Sequence, residues 1–196
     1  MSIRTSQRES TPVAADVLAP HRDEGPLLVL EPRAVLGVPA VLLLAVALVL
    51  LGLAATTETG TLELGPPWPW TAGALLVAIV AAWGRSSPRL DWPIPALLRA
   101  LEYGTVLVLA GTSMWSYALL ATLAIHHYDI VYRVRLLGTA PPRWLAVLTG
   151  GWPVRCGLLV LAAAFGLAEP VAAILTVLIA PVFVAELLVQ WVVRTR

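Results

Sequence analysis

AVLGVPAVLLLAVALVLLGLAA (Ala34–Ala55) runs without a charged, amide or hydroxyl side chain. At 1.5 Å per residue a helix of this length reaches about 33 Å, enough for a hydrocarbon core of about 30 Å. It starts too far from Met1 and is too long for the apolar core of a secretory signal, so it reads as a retained anchor. The rest of the chain agrees that its solvent is lipid. Of 196 residues, 59% are hydrophobic and only 13% are charged, outside the range of an ordinary soluble domain. The formal net charge of +1 gives no argument for nucleic-acid binding. The single cysteine, Cys156, has no partner for an internal disulfide or a thiolate metal site and reads as a small apolar filler.

Working outward, residues 1–33 mix small, polar and charged side chains without a period and are expected to form a poorly ordered cytoplasmic tail. Five further apolar segments follow Ala34–Ala55. They cover about residues 68–84, 96–111, 114–133, 153–168 and 170–193, with Pro181 expected to kink the last. The sequence therefore predicts an all-α, polytopic membrane protein, a six-transmembrane-helix bundle. All thirteen basic residues are arginines, and with both termini in the cytoplasm every one falls on the inner side. The outer connections, TTETGTLELGPP, GTS and AEP, hold only Glu58, Glu63 and Glu169. That arginine bias predicts a multi-pass protein of the plasma membrane with cytoplasmic N- and C-termini. Tryptophans at the span ends, Trp152 among them, read as anchors in the headgroup layer. The short outer connections predict antiparallel hairpins of helices 3 with 4 and 5 with 6. The inner segment Val134–Trp152 reads as the one sizeable loop.

Ionisable groups inside spans are functional candidates, because each costs several kcal/mol in hydrocarbon. Arg99 and Glu102 share a face of helix 3, with Tyr103 beside them. In LAIHHYDIVYRVR, at the end of helix 4, His126, Asp129 and Arg133 fall on one stripe, and Tyr128, Tyr132 and Arg135 on the far side. Arg155 opens helix 5, and Glu186 lies two turns before the end of helix 6. Counting from the span ends, Asp129, Glu102, His126 and Glu186 lie about 6, 9, 10 and 12 Å deep, all in the cytoplasmic leaflet.

Two readings follow. In one, each arginine snorkels to the headgroups and pairs locally, Arg99 with Glu102 and Arg133 with Asp129. In the other, the helices enclose a polar pocket open to the cytoplasm. Its ligand-binding set is Arg99, Glu102, Tyr103, His126, Asp129, Arg133, Arg155 and Glu186, with the arginines suited to the oxygens of a phosphate. Candidates for acid–base work are His126, His127, Asp129 and Glu102. Asp129 and Glu102 are also the candidates for a divalent ion such as Mg²⁺. The glycines of TGGW (Thr149–Trp152) would let backbone approach an anion at a helix start, or simply loosen the loop.

The set RALEYG, HHYDIVYR and PPRW…GGW resembles an actinobacterial multi-pass membrane domain of unknown function that commonly accompanies CDP-alcohol phosphatidyltransferase modules. The resemblance covers roughly Pro32 to the C-terminus. It marks Arg99, Glu102, Tyr103, His126, His127, Tyr128, Asp129, Tyr132, Arg133, Gly150, Gly151, Trp152 and Arg155. It implies a setting of phospholipid or cell-envelope metabolism, with membrane lipids and a CDP-alcohol phosphatidyltransferase, or another envelope-precursor enzyme, as partners. The aspartate signature of those transferases, D-x-x-D-G-x-x-A-R with its following aspartates, is absent, as are G-x-S-x-G, H-E-x-x-H and a P-loop. The expected function is a pocket for an anionic, phosphate-bearing headgroup or precursor. The alternatives are an enzyme acting directly on a lipid-linked phosphate and a non-catalytic anchor or assembly subunit.

Overall fold

A computed structural model describes residues 36–60, 65–82, 84–85, 92–139 and 141–194. The tail predicted over residues 1–33 lies outside them. The described residues are helical apart from one short strand pairing and the turns between helices. The helices are Ala40–Glu58 (α1), Pro67–Ala82 (α2), Ile94–Ala110 (α3), Met114–Tyr132 (α4), Arg143–Leu148 (α5), Gly151–Ala164 (α6) and Ala168–Arg194 (α7). Three stretches are long and apolar enough to cross a membrane: Ala40–Thr57, Trp144–Ala164 and Ala168–Val192. Pro67–Ala82 is apolar but shorter. At 16 residues it reaches about 24 Å.

The helix ends follow local chemistry. The first helix begins at Ala40, six residues later than the predicted span, and Leu36–Pro39 (β1) runs parallel to Gly84–Arg85 (β2). Pro39 accounts for the delay, since the residue before a proline is driven out of the helical region. Gly111, at φ 65°, stops α3, and Ser113 caps α4 by accepting from the Ser116 N–H at 3.2 Å. Gly166, at φ 70°, closes α6 with Leu167 N–H donating to Ala162 O at 2.8 Å. Both tight turns were legible as such. The α7 helix continues through Pro181.

The predicted inner loop Val134–Trp152 is not a loop. The chain leaves α4 in a π-helical turn, Arg133–Leu137, and forms α5 after Pro142, which is extended at φ −64°, ψ 138°. Gly150 and Gly151, both at positive φ, then turn the chain into α6, two residues ahead of the predicted span start. A side chain at Gly150 would be doubly unwelcome, since its Cβ would lie 2.9 Å from Val154 Cβ.

Small residues bring the helices together, as expected where packing rather than water exclusion drives association. Ala40, Leu44, Ala47, Leu51 and Ala54 form the buried stripe of α1, and Ala74, Ala78 and Ala81 that of α2. All of these but Ala54 pack in one cluster with Leu98 and Leu101 of α3 and with Trp152 and Cys156 of α6. On α3, Gly104 allows close approach to α1, because a Cβ there would meet Leu51 Cδ2 at 2.6 Å. A second apolar cluster joins Val106, Leu119, Leu123, Leu159, Leu175 and Phe183. The α3 and α6 helices contribute to both clusters, and α4 packs chiefly on α7 rather than on its hairpin partner α3. Those two facts bring the polar residues together.

Candidate functional site

Each buried charge meets its partner on another helix. Arg155 of α6 donates through Nε to Glu102 Oε1 of α3 at 2.7 Å, and both residues are only 1% exposed. A second Arg155 donor, Nη1, reaches the Thr149 carbonyl at 3.4 Å. The glycine turn thus aims a carbonyl at the guanidinium, a use of TGGW different from anion capture. Glu102 Oε2 accepts no hydrogen bond and lies 3.5 Å from His127 Nε2. The other ring nitrogen, Nδ1, is 2.8 Å from the Tyr103 hydroxyl. With the Tyr103 hydroxyl donating to Nδ1, Nε2–H of His127 is turned towards the Glu102 carboxylate without completing a hydrogen bond to it.

The second centre is built by Arg133. It donates from Nη1 to Glu186 Oε1 at 2.6 Å and from Nη2 to Glu186 Oε2, a fork-to-fork pair between α4 and α7. Nη2 also lies 2.6 Å from Asp129 Oδ2, one turn back on the same helix. One guanidinium against two carboxylates leaves this centre one negative charge in excess. The π-helical turn that begins at Arg133 adds a residue to the helical repeat there, and such turns are frequent at functional sites.

Histidines connect the two centres. His126 stacks on Phe183 with ring centroids 3.7 Å apart and planes 5° apart, and lies 5.6 Å from the His127 ring. Phe183 is three residues before Glu186 on α7. A buried polar layer therefore runs from Arg155 through Glu102, His127 and His126 towards Arg133, Asp129 and Glu186, crossing α6, α3, α4 and α7.

Beside the second centre, α4 and α7 part to leave a cleft of about 320 Å³ lined by Ile125, Tyr128, Asp129, Tyr132, Arg133, Leu187, Gln190 and Trp191. Its walls are exposed apolar and aromatic side chains, while Arg133 and Asp129 form a polar floor.

Several expectations change. The partner of Glu102 is Arg155, not Arg99; Arg99 sits half-buried three residues earlier on α3. The local pair of Arg133 with Asp129 is present, with Glu186 added. Tyr128 and Tyr132 do not turn away from Asp129 and Arg133 but line the same cleft, because residues 125, 128, 129 and 132 form one stripe. His126 is buried against Phe183, not in the cleft. Trp152 is no interface anchor: the glycine turn tucks it to 1% exposure, with Nε1 making no hydrogen bond. As ion ligands, Glu102 and Asp129 belong to different centres, each holding an arginine. Among the described residues no three His, Cys, Asp or Glu side chains converge on a possible metal position.

Phe183, Gln190 and Trp191 are contributors that sequence reasoning passed over. Gln190 carried a usable signal, since it lies one turn beyond Glu186 on the same stripe.

No curated protein and no solved structure matches this chain. Residues 12–196 match the family described as a family of unknown function (DUF5941), and the chain belongs to it.

Proposed function

We propose that this family member is a six-span plasma-membrane protein with both termini in the cytoplasm, whose α4–α7 cleft takes the headgroup of a phosphate-bearing lipid. The observation that carries the reading is the cleft itself: apolar and aromatic walls open to the side where lipid would lie, over a floor of ionic groups. A soluble substrate has little use for Ile125, Tyr128, Leu187 and Trp191 as an entrance, whereas a lipid gains contact with all four. Exposed apolar side chains elsewhere on the bundle, such as Leu42, Val49, Leu76 and Leu178, support immersion in lipid. The arginine distribution supports the orientation. In that orientation the C-terminal turns of α4 and α7, and with them the cleft, lie in the cytoplasmic leaflet.

The chain then acts as a headgroup-presenting partner for envelope-lipid enzymes. Its resemblance to actinobacterial domains that accompany CDP-alcohol phosphatidyltransferase modules supports that class of enzyme as the partner. An enzyme acting directly on a lipid-linked phosphate has one observation in its favour: Tyr103, His127 and Glu102 stand in the order of nucleophile, base and orienting carboxylate. None of the three lines the cleft, and that favours binding over chemistry.

The test is lipid retention by the purified protein. Wild type should keep one phospholipid per chain through delipidating detergent, measured by native mass spectrometry. Ile125→Trp, at an exposed wall position, should fill the cleft and release it while leaving the melting temperature unchanged. Equal retention by wild type and Ile125→Trp would refute the cleft as the lipid site.

A further inference from the structure

We propose that the cleft selects a zwitterionic lipid whose headgroup ends in an ammonium, chemically a phosphatidylethanolamine, over a lipid ending in a bare phosphate. The proposal rests on the headgroup reading above and specifies its ligand.

Charge decides between the two. Arg133, the one cation among the described lining residues, already gives its two terminal nitrogens to Glu186 and Asp129. The floor therefore keeps an excess negative charge, which repels a phosphate monoester and attracts a cation. In a lipid environment that unbalanced charge is expensive and a cationic group relieves it. Asp129 is placed to receive one: it engages Arg133 through Oδ2 and retains partial exposure, 16% for its side chain, beside the cleft.

The rim has the matching chemistry. Tyr128 and Tyr132 lie with ring centroids 6.5 Å apart and planes 27° apart, and Trp191 completes the wall from α7. Tyr128 is 72% exposed, so its ring face is not used up by packing. An ammonium within about 6 Å of aromatic faces is held by cation–π attraction, strongest on tryptophan. Aromatic rings around a carboxylate are a cation's surroundings. The level is also right: Asp129 lies one turn before Arg133, about 6 Å along the helix, comparable with the thickness of the interfacial layer. The lipid phosphate would then remain outside, towards the exposed Arg135.

The experiment compares phosphatidylethanolamine, phosphatidylglycerol and phosphatidic acid of identical acyl chains, each titrated onto delipidated protein in detergent and read by native mass spectrometry. Phosphatidylethanolamine should bind at least ten-fold more tightly than phosphatidic acid. Asp129→Asn should weaken phosphatidylethanolamine about ten-fold. Tyr128→Leu, which leaves the Arg133 ion pairs intact, should weaken it about five-fold without altering phosphatidylglycerol binding. Tighter binding of phosphatidic acid or phosphatidylglycerol, or a Tyr128→Leu effect equal on all lipids, would overturn the ammonium proposal and leave the headgroup site standing. Saturable binding of none of the three would overturn the headgroup reading itself, and this proposal with it.

Discussion

Removing Glu102 should expose how the bundle depends on its buried polar layer. Glu102→Leu takes the carboxylate partner from an Arg155 guanidinium at 1% exposure, and puts a methyl group where the carboxylate faced His127 Nε2. Breaking a buried pair by deleting one partner costs about 3–5 kcal/mol, most of it the uncompensated charge left behind. For a chain of this size each kcal/mol lowers the melting temperature by about 2–4 °C, so the loss should be about 6–20 °C. The companion Arg155→Met should cost a similar amount by stranding the carboxylate. The double variant Glu102→Leu/Arg155→Met places apolar groups of similar volume in both positions and should recover most of that loss. The assay is thermal unfolding of the four proteins in one detergent, followed by circular dichroism, completing a double-mutant cycle. Losses that simply add, or a single variant that melts within 2 °C of wild type on the same scale of about 2–4 °C per kcal/mol, would refute the pairing.

Three further outcomes follow from the same geometry. Tyr103→Phe removes the hydroxyl 2.8 Å from His127 Nδ1 and should cost about 1 kcal/mol, an effect that should vanish in a His127→Leu background. Gly150→Ala must adopt φ 78° and crowd Val154, costing about 1–2 kcal/mol or more, whereas Gly138→Ala, at φ 62° with open space around it, should cost only the backbone penalty of about 1 kcal/mol; urea unfolding compares them. In intact cells, Glu63→Cys should react with an impermeant thiol reagent and Arg143→Cys should not, and labelling of the second would reverse the orientation.

Most of the described helices were legible because apolar runs and glycine and serine stops are local properties. The turn at Gly111–Ser113 shows this well: one residue ends α3 by its left-handed φ and another caps α4. The inner connection was not legible, because α5 is too short to announce itself by periodicity and depends on Pro142 and on burial of Leu145. The candidate polar residues were visible as charges in apolar surroundings, yet their partners were not. Sequence can suggest only pairs three or four residues apart, which finds Asp129 with Arg133. The pairs of Arg155 with Glu102 and of Arg133 with Glu186 each close over 53 residues and exist only because α4 packs on α7 and α6 on α3. A similar limit applies to the cleft. A stripe centred on His126 put Tyr128 and Asp129 on different sides, whereas the cleft centres on the stripe of Ile125, which takes in both.

The central claim is that a lipid headgroup occupies the gap between the ends of α4 and α7. The most direct measurement uses a phospholipid carrying a photoreactive group beside its headgroup, crosslinked to the protein in membranes and mapped by peptide mass spectrometry. Crosslinks concentrated on residues 125–132 and 187–191, and lost in Ile125→Trp, are the predicted result. Crosslinks spread evenly over exposed apolar positions such as Leu42, Val49 and Leu178, and unchanged by Ile125→Trp, would contradict it.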